Sequence, residues 1–502
     1  MSRPAAFARL VGAAWVLVRA DALVPREIDP ALPPTFRPFA RLLRLFAGPQ
    51  ARQGRPGERL AKALERLGPA AIKLGQVLST RADIFGRTFA EDLSRLKDQL
   101  APFPTETARA AVAAALDQPV ESLFSSFGEP IAAASLAQAH PATLLDGQKV
   151  AVKVLRPGIE WRVAQDIEVL ELAAALIEDA VPPARRLEPR ALAGIVTRSL
   201  ELELDLRLEA AGASELREVM AMDAYMRAPP VIWAGVGKRV LTLGWAEGVA
   251  LSDPAALEQP GVERRALADT LVRAFLAQAL DHGVFHADLH EGNLFVSPPA
   301  MITAVDFGIV GRLDHVARRH LAEILWGFLQ RDYMRVAKAH FDAGYVPAHH
   351  SIEAFAQALR AVGEPNVGRP SGAVSMGRLL GLLFEITALF DMHLRPELVL
   401  LQKTMVTVEG VARKIDPEHN LWSAAEPVVR RWIMRELSPV ARARDLAGDA
   451  VKALQALARL AEAPPAPVAA AEPTQPSRLW WFALGAAAGA AFWAAALFAH
   501  HP

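Results

Sequence analysis

The 502-residue chain has no cysteine. That absence removes disulfides, thiolate catalysis and cysteine-ligated zinc from the chemistry open to it. It also has no charge imbalance, because 55 Lys and Arg stand against 55 Asp and Glu for a formal net charge of +0. With no global basic field, nucleic acid is not an expected partner, and any phosphate binding has to be built locally. No glycine fingerprint of a flavin site, haem cysteine or iron facial triad stands out, and no internal repeat is visible. What the chain does have is length and apolar content: 52% of its residues are hydrophobic, enough for a core shared by two lobes and an appendage.

One long run is free of charge. At about 1.5 Å per residue, Leu479 to Ala499 makes roughly 31 Å, close to the hydrocarbon thickness of a bilayer. It is expected to span a membrane once. Arg478, Trp480 and Trp481 stand at one end and only His500, His501 and Pro502 at the other, which places the body on the cytoplasmic side of an inner membrane. Gly485 and Gly489 have the GxxxG spacing through which two such helices could form a homodimer. Near the start, Leu10 to Val18 is apolar and follows Arg3 and Arg9, but Arg19 and Asp21 cut it short. It reads as a helix that touches membrane or packs on the body, not as a cleaved signal.

Five segments are expected. Residues 1–120 form an N-terminal helical extension, in which Pro69 opens a helical turn and Pro102 and Pro104 close the pattern. Residues 121–248 hold strands from Ile131 to Val154, with an Asp146-Gly147 hairpin signal, then at least two helices between Ile159 and Val219 interrupted at Pro182-Pro183. The segment 249–440 is almost wholly helical beyond Asp306, from His315 through Phe341, Ile352 to Val362, Arg378 to Met392 and Pro396 to Ile415. An amphipathic helix and a Pro/Ala-rich linker over 441–478 then lead to the span at 479–499.

The chemistry concentrates in His286-Ala287-Asp288-Leu289-His290-Glu291-Gly292-Asn293, followed by Asp306-Phe307-Gly308. The Asp288-x4-Asn293 spacing and the later Asp306 have the register in which kinases hold a catalytic Asp and two Mg²⁺ ligands. Asp288 would orient or deprotonate the attacking group, and Asn293 and Asp306 would bind the metal. Lys153, in the strand Val150-Ala151-Val152-Lys153-Val154, is placed for the nucleotide phosphates of ATP or ADP. Ala132, Ala133, Ala134 and Ser135 sit where kinases carry a glycine-rich loop. Their methyl groups should alter the phosphate grip. For the carboxylate that positions Lys153, spacing offers Glu168 and Glu171, or the denser group Glu203-Leu204-Asp205 and Glu209. His282, His286 and His290 recur every four positions, but the glycines around them argue for a loop over a zinc site, with His286 bracing it. No Ala-Pro-Glu follows Gly308, and a helix opens by His315, which leaves almost no room to dock a peptide.

These residues resemble the UbiB/ADCK family of atypical kinase-like proteins. Lys73-Leu74-Gly75-Gln76 looks like its KxGQ motif, Ala132 to Gln138 like its alanine-rich loop, and Glu203 to Asp205 like its ExD motif. The resemblance implies an α+β, bilobal protein-kinase-like fold with an N-terminal helical extension, a mostly helical C-lobe and a C-terminal transmembrane helix. It also implies ATP or ADP with Mg²⁺, ATPase behaviour in place of protein kinase activity in trans, and support of ubiquinone biosynthesis at the membrane, with membrane lipids, quinone precursors and the biosynthetic enzymes as partners. By the same similarity, Lys73 and Gln76 would lie over the pocket near Glu203 and Asp205, and Glu209 would pair with Lys153. Gly244 stands at the hinge position where the family usually has Glu. A nucleotide-binding scaffold without catalysis and a small-molecule or lipid kinase are the alternatives.

Overall fold

The computed structural model describes residues 3–27, 37–79, 86–93, 101–180, 188–364 and 396–436, with isolated positions between them. Residues 1–435 form one compact unit and 436–502 another, of which only Glu436 is described. The expected linker, the span at Leu479–Ala499 with Gly485 and Gly489, the Pro182-Pro183 break and most of a helix expected over Arg378–Met392 therefore lie outside the described residues. Among the described residues, no helix is long and apolar enough to cross a membrane.

The N-terminal region is helical: α1 (Arg3–Arg19), α2 (Arg37–Arg44), α3 (Pro56–Leu67), α4 (Pro69–Ser79), α5 (Arg87–Leu93) and α6 (Thr105–Leu116). Gly75 shows why α3 and α4 can lie so close. A Cβ there would sit 2.3 Å from Leu96 Cδ1 and 2.8 Å from Leu64 Cδ1, so any larger residue would require both leucine side chains to shift.

A five-stranded antiparallel sheet follows. Its path runs β1 (Phe124–Phe127), β3 (Ala137–Leu144), β4 (Lys149–Leu155) and β6 (Val240–Gly244), with β2 (Ala132–Ala133) paired to β3. Strand alternation decides what β4 does. Val150, Val152 and Val154 are fully buried and pack with Val112, Phe124 and Leu144, each burial contributing roughly 1.5–3 kcal/mol. The same two-residue period turns Lys153 to the opposite face, in register with Ala139 on β3 and Leu241 on β6.

Three helices stand between β4 and the next strand: α7 (Ile159–Ala180), α8 (Pro189–Glu203) and α9 (Leu206–Asp223). Val163, Val196, Leu200, Leu206 and Ala210 bind them to the sheet through Leu155 and Leu241. The chain then passes from the first sheet to a second between Gly244 and Val249. This second sheet has the order β5 (Met226–Arg227), β10 (Met301–Ala304), β9 (Leu294–Ser297), β7 (Val249–Ala250). Beside it, β8 (Val284–His286) pairs with β11 (Val310–Arg312). That pairing corrects the expectation of near-continuous helix beyond Asp306: Val310 to Arg312 close a ladder on the strand before the loop that carries Asp288. Helices complete the unit: α10 (Arg264–Ala277), α11 (His315–Leu329), α12 (Tyr333–Asp342), α13 (Ile352–Gly363), α14 (Pro396–Ile415) and α15 (Leu421–Glu436).

Candidate active site

Lys153 Nζ lies 2.8 and 2.9 Å from the two carboxylate oxygens of Glu209 and 3.5 Å from Asp306 Oδ1. Glu209 reaches it from the first turn of α9, a position favourable for an acidic group because the helix dipole is positive there. Burial alone would push the Lys153 ammonium down, but the charges of Asp306 and Glu209 outweigh it and raise its pKa above the ordinary lysine value. Glu209 moves the other way for a salt-bridged acid. Its side chain is only 9% exposed, and dehydration, with Asp306 and Glu203 nearby, raises its pKa despite Lys153. The lysine is therefore securely charged, and the carboxylate beside it is held at an energetic cost.

Asp306 follows β10 with φ +62°, a left-handed conformation that Asp tolerates better than most residues. Its carboxylate accepts from the Gly308 amide at 3.3 Å, and the attraction of Lys153 holds its pKa below the usual range.

The loop that carries Asp288 is fixed from behind. His286 is fully buried on β8, its Nδ1 accepts from the Asp288 amide at 3.1 Å, and its Nε2 donates to the Val305 carbonyl at 3.1 Å. An amide can only donate and a carbonyl can only accept, so these partners set the tautomer. Burial pushes the His286 pKa down and keeps the ring neutral. Asn293 Nδ2 donates to the Asp288 carbonyl at 3.1 Å, and the Val305 amide donates to the Asn293 carbonyl at 2.9 Å. One network thus ties Asp288 and Asn293 to Val305, the residue that precedes Asp306. With the Asn293 amide nitrogen donating to Asp288, Oδ1 is the atom of that side chain that could serve as a ligand. An amide oxygen and an ionised carboxylate are hard donors suited to Mg²⁺, so the residues fit that ion.

The alanine-rich turn is pinned as well. Arg156 Nε donates to the Ala134 carbonyl at 2.9 Å, its guanidinium lies 5.5 Å from the Phe103 ring centre, and the Ala134 amide donates to the Ala137 carbonyl at 2.8 Å. Ala132 and Ala133 form β2, and Ser135 is buried beneath the turn.

Residues 95–340 match the ABC1 atypical kinase-like domain and residues 359–420 the UbiB helical domain. The chain is 40% identical over 445 residues to "Probable protein kinase UbiB" of Marinobacter nauticus, covering 87% of this chain and 81% of that one. It is 41% identical over 400 residues to the protein of that name in Pseudomonas putida, covering 78% of this chain and 74% of that one. The chain belongs to the UbiB family. A solved structure titled as the complex of Rv3197 with erythromycin, from Mycobacterium tuberculosis, matches with a TM-score of 0.53 at 22% identity, over 78% of this chain and 98% of that one, and supports the kinase-like fold alone.

Within this UbiB-type architecture the structure chooses among the carboxylates that spacing offered. Glu209 takes Lys153, and Glu203, at the end of α8, makes an ion pair with Lys73 of α4. Asp205 does something else: it accepts from the Arg207 amide as the N-cap of α9, and the Arg207 side-chain bond holds its pKa below the usual value. Gln76 is half-buried one turn beyond Lys73. The three histidines do not converge: His282 bonds Asp223, His286 bonds Val305, and His290 Nδ1 accepts from the Gly292 amide.

Three supports were not anticipated from sequence. The buried Thr404 hydroxyl of α14 lies 3.0 Å from the Ala287 carbonyl, Lys414 of the same helix pairs with Glu291, and Arg156 holds the alanine-rich turn. Each joins residues far apart in the chain, and no local spacing signals them. Gly244 also finds its reason. A Cβ there would meet Pro230 Cδ at 2.6 Å, so a side chain of any size is excluded while Pro230 occupies that space.

Proposed function

We propose that this chain is a membrane-anchored, Mg²⁺-dependent ATPase of the atypical kinase-like type that supports ubiquinone biosynthesis. It would handle lipid quinone precursors or remodel the enzymes that act on them. The observation that carries the reading is the grouping of Glu209 and Asp306 around the Lys153 ammonium, each within 3.5 Å of it. Glu209 holds the lysine in place, and Lys153 supplies the positive charge that receives the α- and β-phosphates of ATP or ADP. Asn293 and Asp306 would hold Mg²⁺, which when bound neutralises charge on the phosphoryl oxygens. Asp288, steadied through its amide by neutral His286, orients or deprotonates the acceptor.

Water is the acceptor that this geometry favours. Only residues 309–314 separate the Asp306-Phe307-Gly308 turn from α11, and Val310–Arg312 are engaged in β11. No free segment is left there on which a peptide could lie. The Lys73 and Glu203 ion pair further ties the N-terminal helices to the acidic group near Lys153, in keeping with a substrate smaller than a protein. In this reading the segment Leu479–Ala499 anchors the body on the cytoplasmic side.

The test uses the full chain in liposomes with γ-labelled ATP and alkylphenols. The proposal expects Mg²⁺-dependent free phosphate as the only labelled product. Label transferred to a phenol or lipid would make it a kinase, and nucleotide binding without turnover would make it a scaffold.

A further inference from the structure

Helix α1 is apolar on two sides. Ala6 and Val18 are buried, and α1 packs against α3 and α7. The other side exposes Phe7, Val11 and Trp15, which share one stripe at four-residue spacing. Helix α2 and the turn after it extend this face with Leu42, Leu45 and Phe46, Leu45 being 78% exposed. The Trp15 and Phe46 ring centres lie 5.7 Å apart and join the two parts. Such a concentration of large apolar side chains on one surface calls for a covering.

The charges around the patch have one sign. Arg19 and Arg41 are exposed beside it. The acidic groups nearby are engaged: Asp21 is buried with Arg26, Arg44 and Arg59, Glu27 pairs with Arg59, and Asp166 faces Arg9. Aromatic and aliphatic side chains ringed by arginine are the composition of a helix that lies in the headgroup boundary of a membrane.

We propose that the α1 and α2 face is a monotopic docking surface for an anionic bilayer. Phe7, Val11, Trp15, Leu42, Leu45 and Phe46 enter the acyl boundary, and Arg19 and Arg41 meet lipid phosphates. Charge complementarity selects this occupant over a second copy of the chain, which would bring the same arginines face to face. The surface is separate from the C-terminal span proposed above and does not depend on it.

The cysteine-free chain permits a direct test. Full-length Val11→Cys carrying an environment-sensitive dye is reconstituted into phosphatidylcholine vesicles with or without phosphatidylglycerol, and Ser252→Cys, exposed after β7, serves as the control site. The expected result is a blue-shifted emission and a several-fold drop in aqueous iodide quenching at position 11 in the anionic vesicles only, with neither at position 252. Adding Arg19→Glu and Arg41→Glu should restore quenching, and raising salt should do the same with the arginines intact. Three results would overturn the proposal: unchanged quenching at position 11, equal protection in phosphatidylcholine alone, or protection without lipid that grows with protein concentration.

Discussion

Both carboxylate oxygens of Glu209 lie within hydrogen-bonding reach of the Lys153 ammonium, at 2.8 and 2.9 Å. Because Glu209 is buried and its pKa is raised, the folded chain holds this carboxylate against its own preference, as expected of a group kept for position more than for stability. Glu209→Gln should therefore shift the melting temperature little and weaken Mg-nucleotide affinity about tenfold, roughly 1.4 kcal/mol. Titration calorimetry and a thermal melt of the same protein measure the two effects.

The left-handed backbone at Asp306 makes Asn the informative replacement, since Asn also adopts that conformation readily. Asp306→Asn should keep the fold and lower Mg²⁺-dependent phosphate release at least about a hundredfold. Asp306→Ala should lower it similarly and also cost about 1 kcal/mol or more of stability through backbone strain. Phosphate release and chemical unfolding separate the two.

Acid should destabilise the fold through its buried neutral histidines. Burial lowers the pKa of His340 to about 4 and also that of His286, so between those values and 6.5 the unfolded chain binds more protons than the folded one. Stability is then present above pH 6.5 and is lost as pH falls through the folded values. His340 alone contributes roughly 3 kcal/mol across that window. His340→Phe, among Tyr345 and Phe355, should flatten the slope of unfolding free energy against pH.

Pro230 and Gly244 should behave as a coupled pair. Gly244→Ala places a Cβ against the Pro230 ring and should cost about 1–3 kcal/mol. Gly244→Ala with Pro230→Ala should recover most of that loss. Urea denaturation of the two singles and the double gives the coupling.

Ala133→Gly removes a methyl from β2, where Ala133 pairs with Gln138. The turn should then let phosphates approach more closely, changing the relative affinities for ATP and ADP several-fold. Arg156, which holds Ala134, should limit the movement, and competition binding with both nucleotides measures it.

The site was legible in the sequence where chemistry is carried by short spacing. Asp288, Asn293 and Asp306 announce themselves because one loop pair must hold them, and the alternation of Val150, Val152 and Val154 already turns Lys153 to its own face. The partner of Lys153 was not legible from spacing alone, because α7 and α8 intervene before Glu209 and only packing decides which acid arrives. The same holds for Asp205, which reads as part of an acidic group and serves as a helix cap, and for Thr404 and Arg156, whose contacts cross the fold. Strand β11 was missed because three residues carry no periodicity. Their role appears only in the ladder with β8.

The account stands on a metal-bound nucleotide held between Lys153 and Asp306. Equilibrium binding of a non-hydrolysable ATP analogue, with and without Mg²⁺, to the wild-type chain, Lys153→Met and Asp306→Asn tests this most directly. The predicted result is Mg²⁺-dependent binding in the wild type, loss of the Mg²⁺ dependence in Asp306→Asn, and weak binding under both conditions in Lys153→Met. Equal affinity and equal Mg²⁺ dependence in all three proteins would contradict it.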